Sequence, residues 1–314
     1  MRADNSAWQE VVTVLAEVLD KVPQPKYPGI RSCPDNDSRS RTDDAPYKIT
    51  PNPYLRRASA VQYVVGAITV RNQHGLSRDI PADVRRAVRQ ACGYGCVICG
   101  SAIIEYEHVD PPFNEAREHD PRAITLLCPQ CHAKVTRGFV SKQTVQGAML
   151  DPKCMNQGYA SEFFDIGRTH PTLVFAGMTI AETPIPIQVR GVALFQVQEA
   201  EEDGGPFRLD GNFYNSRGEL SLQIIQNEWR PMSANWDVEA VGGVITIRDN
   251  PGHISLMLRA RPPDALIVEQ LDMYLTDYRF LGNAGQLTVE FPGGGRTSFT
   301  KCLASHCHVG LALG

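Results

Sequence analysis

The 314 residues carry 31 Lys and Arg against 35 Asp and Glu, a formal charge of −4, with 42% hydrophobic and 21% charged residues. That balance is ordinary for a globular chain of about two domains, and it excludes binding of nucleic acid through a global positive field. No apolar run approaches the roughly 18–20 residues of a membrane helix, and the N-terminus lacks a basic-then-apolar secretion pattern, so a cytoplasmic chain with no membrane partner is expected.

Residues 1–53 read as an N-terminal helix and a flexible linker. Val11, Leu15, Val18 and Val22 recur at helical spacing over residues 6–22. This stripe packs on the chain's own body or on a second copy. Residues 23–53 are rich in Pro, Asp, Ser and Arg without periodicity. A second unit is placed at residues 54–150. Its apolar run at 61–70 fits helix or strand equally. Pro81 suits the first turn of a helix over about 81–92, which carries Arg85, Arg86 and Arg89. These arginines form either a phosphate-facing, nucleic-acid-binding patch or a solvated helix face.

From residue 165 to 314 the texture changes to short β-rich segments, at 187–197, 220–225, 244–248, 254–258 and 287–291, separated by Gly, Asn, Asp and Pro. This predicts a mostly-β accessory domain, a sandwich by default and a β-solenoid as the alternative. Trp229, Trp236 and Tyr274 read as core or edge aromatics. A homo-oligomer would form through the N-terminal helix or through this domain.

Nine cysteines are too few for a disulfide scaffold of this length, and four form Cys96-x-x-Cys99 and Cys128-x-x-Cys131. Each pair supplies two thiolates from one tight knuckle, and four complete a tetrahedral structural zinc site. The spacer between the knuckles holds two strand-like stretches around a polar loop, and His132 follows the last cysteine at the start of a plausible helix. Strand, loop, strand and helix over a zinc site make a ββα unit, and the predicted fold class is α+β.

The stretches Cys96-Val97-Ile98-Cys99-Gly100, Glu107-His108-Val109 and Leu126-Leu127-Cys128-Pro129-Gln130-Cys131-His132 resemble the HNH endonucleases, a ββα-metal nuclease family, over residues 78–142. The resemblance implies that His108 is the general base and that Glu107 and His132 hold a catalytic Mg2+ or Mn2+. It implies cleavage of phosphodiester bonds in DNA, with RNA left open and a host-defence or restriction role by analogy. Lys134 and Arg137, just after the helix start, would grip phosphates. The family's asparagine is absent: Ala123 stands at that position, and Asn114, His119 or Asp120 would have to take its part, with His119 preferred. That gap motivates an alternative, a non-catalytic zinc module that binds nucleic acid. Nine Lys and Arg against eight Asp and Glu leave residues 78–142 at about +1, which predicts weak, salt-sensitive binding.

Overall fold

The computed structural model describes residues 70–314 except residue 284. The expected N-terminal helix, the linker and the 61–69 part of the apolar run lie outside the described residues.

Helix α1 (Ala82–Cys92) forms because Val84, Val88 and Cys92 recur every four residues and give it one apolar face; Val88 and Cys92 are buried. It stops at Gly93, whose φ of 66° turns the chain out of the helix. Two residues on, Gly95 passes so close to Cys154 that a Cβ would lie 2.6 Å from its Sγ, so no larger residue fits there. Strands β1 (Glu105–His108) and β2 (Ile124–Leu127) pair antiparallel, Glu105 opposite Leu127 and His108 opposite Ile124. Helix α2 (Pro129–Thr136) starts on Cys128, whose sulfur accepts the Cys131 N–H, with Pro129 in the first turn, where no N–H is needed. Helices α3 (Lys142–Leu150), capped by Ser141, and α4 (Lys153–Gln157) follow. Val88, Ile124, Leu126, Leu127 and Val145 close a small core around the cysteines.

The rest is β, and the described chain as a whole is mostly β. One seven-stranded sheet is built from β3 (Glu162–Phe163), β6 (Ile185–Val189), β7 (Val192–Gln198), β8 (Arg208–Tyr214), β9 (Leu220–Ile225), β10 (Glu228–Pro231) and β19 (Val309–Leu313), in the order β19-β6-β7-β8-β9-β10-β3. The larger sheet runs in sequence through β11 (Asp237–Val241), β12 (Val244–Asn250), β13 (His253–Arg261), β14 (Ala265–Leu275), β15 (Tyr278–Asn283), β16 (Gln286–Glu290) and β17 (Arg296–Phe299). To it are added β4 (Thr172–Phe175), β5 (Met178–Ala181) and β18 (Cys302–Ser305). Strands such as β8 alternate buried and half-buried residues, and the inward side chains of both sheets, among them Phe195, Phe213, Leu256, Val268 and Phe280, share one core. The segment 187–197, expected as one strand, is parts of two. Arg190 and Gly191 both take positive φ, 51° and 79°, and fold it into a hairpin.

The tripeptide Asn235-Trp236-Asp237 joins this β part to α1. Arg89 Nε and Nη2 donate to Asp237 at 2.9 and 2.8 Å, and Gln90 Nε2 donates to the Trp236 carbonyl at 2.7 Å. Tyr94 Oη donates to the Asn235 carbonyl, and the Arg86 guanidinium sits 4.9 Å from the centroid of the Trp236 ring. Two of the three arginines expected to face phosphates are therefore engaged elsewhere. Helical spacing does place Arg85 and Arg89 on one side, but Asp237, 2% exposed, requires a buried cation and takes Arg89.

Candidate active site

Two groups of residues stand close together at the hairpin. The first is Cys96, Cys99, Cys128 and Cys131, whose sulfurs all lie within 4.8 Å of one another. Cys99 Sγ and Cys128 Sγ are 3.6 Å apart. A tetrahedron with metal–sulfur bonds of about 2.3 Å has edges of about 3.8 Å, so the four thiols are placed to hold a structural metal ion. A hydrogen bond from Cys99 holds the Cys96 thiol below its ordinary range and pushes the donor Cys99 up, so the cluster gives up its first proton at Cys96.

The second group opens into a cleft of about 550 Å³ lined by Arg78, Asp79, Ile80, Arg85, Tyr106, Glu107, His108, Pro112, Phe113, Asn114 and His132. Glu107 and His108 close strand β1, and His132 comes from the first turn of α2, one residue after a cysteine of the metal cluster. His132 Nε2 lies 3.0 Å from Glu107 Oε2. Two ligands about 2.1 Å from one ion and at right angles to each other stand about 3.0 Å apart, so this pair fits a divalent cation taking one oxygen and one nitrogen.

His108 is 8% exposed. Its Nε2 lies 3.1 Å from His119 Nδ1, and His119 Nε2 lies 3.0 Å from the Ser77 carbonyl. A carbonyl only accepts, so neutral His119 carries its proton on Nε2 and accepts through Nδ1. His108 then donates through Nε2–H and keeps the Nδ1 lone pair free. Burial, helped by His119 and Arg78, pushes the His108 imidazole down to about 4, so it is neutral at pH 7.

The loop between β1 and β2 is fastened from upstream. Asn72 Nδ2 donates to the carbonyls of Phe113 and Ala116, each at 2.6 Å, while its Oδ1 accepts the N–H groups of His74 and Leu76. The residue that holds the loop is thus not inside it, as the sequence suggests, but Asn72, some forty residues upstream. Glu105, Arg78 and Phe113 also join the site without having been expected there. Strand alternation puts Glu105 on the face of Glu107, and that was the available signal. The Arg78 guanidinium lies 4.9 Å from the centroid of the Phe113 ring at the cleft wall.

The remaining candidates are dispersed. Arg85 is exposed and lines the cleft, whereas Lys134 on α2 and Arg137 just past its end are exposed and do not line it. Asn114 lines the cleft; Asp120 pairs with Arg122 at 2.8 Å. Comparison of the chain with models of known protein families, with curated proteins and with solved structures finds no match. No helix of the described residues is long and apolar enough to cross a membrane.

Proposed function

We propose that the chain is a metal-dependent phosphodiesterase. Within that class it acts as an HNH-type endonuclease on DNA, with zinc in the four-cysteine cluster. The observation that carries this reading is a buried histidine beside a carboxylate–imidazole pair, in one cleft with two arginines.

Each residue has a task the geometry supports. His108 takes the proton of the attacking water on Nδ1, since its Nε2 proton is committed to His119. Arg78 and Arg85 draw a phosphodiester into the cleft and offset its charge. Glu107 and His132 would hold a divalent ion, which when bound supplies positive charge to the phosphate and to the leaving oxygen. The cysteine cluster fixes the start of α2, and thereby the direction in which His132 points. Arg86 and Arg89 are left out of the nucleic-acid surface because they hold the β part. Two arginines in the cleft and a module charge near +1 favour weak binding that falls with salt.

The test is conversion of supercoiled plasmid by the full chain in Mg2+ or Mn2+. Nicking by the wild type and its loss in His108→Ala support the proposal. Salt-sensitive binding without cleavage, in every divalent metal, would replace it with the reading of a zinc module that only binds nucleic acid.

A further inference from the structure

Strand β1 carries a second carboxylate on the face of Glu107. Glu105 Oε2 lies 2.5 Å from Nδ1 of His132, while Glu107 Oε2 lies 3.0 Å from Nε2 of the same ring. The imidazole is thus held at both nitrogens by residues two apart on one strand, as the alternation of a strand permits. The two carboxylates do not converge with His132 on a common point. Among the described residues the four cysteines are the only group of three or more such side chains whose ligand atoms approach one another within 4.8 Å.

We infer that Glu105 is a positioning residue that fixes the tautomer and the plane of His132 from behind and is not itself a ligand. The inference rests on the reading of Glu107 and His132 as a cation site. A neutral imidazole carries one proton. With Nδ1–H donated to Glu105, the lone pair of Nε2 faces Glu107 and the space an ion would fill. Without Glu105 the ring is free to rotate, and its proton can move to Nε2, where it meets Glu107 and closes the site. Glu105 is half-exposed, with 49% of its side chain accessible, so its removal leaves no hole in the core.

The experiment measures Mn2+ binding to the full chain by the loss of the free-ion electron paramagnetic resonance signal, with no DNA present. Mn2+ prefers oxygen and nitrogen donors and leaves the thiol cluster to softer ions. Zinc content and the far-ultraviolet circular dichroism spectrum serve as checks on folding. Glu105→Leu is expected to weaken Mn2+ binding about ten- to a hundred-fold. Glu105→Gln, whose amide oxygen can still accept from Nδ1–H, is expected to recover most of it, and Glu107→Ala to abolish it. If Glu107→Ala abolishes binding and a folded Glu105→Leu binds as tightly as wild type, the inference is overturned while the cation site stands. If Glu105→Gln is as weak as Glu105→Leu, the tautomer argument is overturned in favour of a purely charged role. If neither Glu107→Ala nor His132→Ala alters Mn2+ binding, the site itself is refuted.

Discussion

Replacing His119 by alanine tests the proposed base directly, because His119 touches His108 and does not line the cleft. The change removes the only acceptor that the described residues give to His108 Nε2–H, a donor on a residue 8% exposed. An unsatisfied buried donor costs about 1–3 kcal/mol. The ring avoids that cost by turning or by moving its proton to Nδ1, and either change takes away the lone pair that water needs. At about 1.4 kcal/mol per factor of ten, kcat should fall about 5- to 140-fold, with KM nearly unchanged. The assay is the initial rate of nicking of a labelled duplex in Mn2+, measured from pH 6 to 8. Wild type should show no loss near the ordinary histidine value, because burial first, and then His119 and Arg78, push His108 down to about 4. In His119→Ala one of the groups that hold His108 down is gone, so its value rises and the deficit should grow toward pH 6. Full kcat in this variant, or a defect confined to KM, would refute the assignment of His108 as base and His119 as its support.

Three further outcomes are expected. Cys131→Ser, or a chelator strong enough to strip the cluster, should unfold the hairpin and α2 while leaving strand signal. Structural zinc contributes about 10–16 kcal/mol, as much as a whole domain's stability. A metal-free protein that melts at the wild-type temperature would contradict the structural role. Arg89→Met leaves Asp237 buried without its main partner and should cost about 3–5 kcal/mol in chemical denaturation, with Arg89→Met/Asp237→Leu recovering much of it; single and double variants equally unstable would argue against the pair. His253 lies between Asp249, at 2.6 Å, and Asp272, at 3.1 Å, and the hydrogen bond to Asp249 leads in raising its pKa above 6.5. Its contribution to stability is full below pH 6.5 and is lost as pH rises through the higher folded value. The stability gap between wild type and His253→Asn should therefore be wider at pH 5.5 than at pH 8.5; an equal gap at both would discount the pair.

The cysteine pairs, the helix after Pro81 and the β-rich character after residue 165 were legible because each has a local signal: fixed spacing, a proline suited to a first helical turn, and short β-rich runs between Gly, Asn, Asp and Pro. So were Glu107, His108 and His132 as candidates, since they flank the knuckles. What stayed hidden depends on residues distant in sequence. Arg89 looks like a surface arginine until Asp237 is placed beside it. Asn72 has no visible business with residues 113–116 until the loop closes on it. The hairpins at Arg190–Gly191 and Gln226–Asn227 escaped because Arg and Gln hold positive φ at positions where Asn or Gly is the usual cue.

The grip of Asn235-Trp236-Asp237 on α1 also sets an order of events in the cell. Arg89 and its carboxylate are 148 residues apart, and the same arginine donates to Tyr106 Oη, on the strand that ends in Glu107 and His108. A ribosome adding about 5–20 residues per second reaches the partner roughly 7–30 s after the helix has been made. Throughout that interval the nascent hairpin lacks the clamp behind it. The clamp on α1 therefore closes late in translation, and chains ending before residue 235 should be open to protease at α1, whereas the full chain should resist.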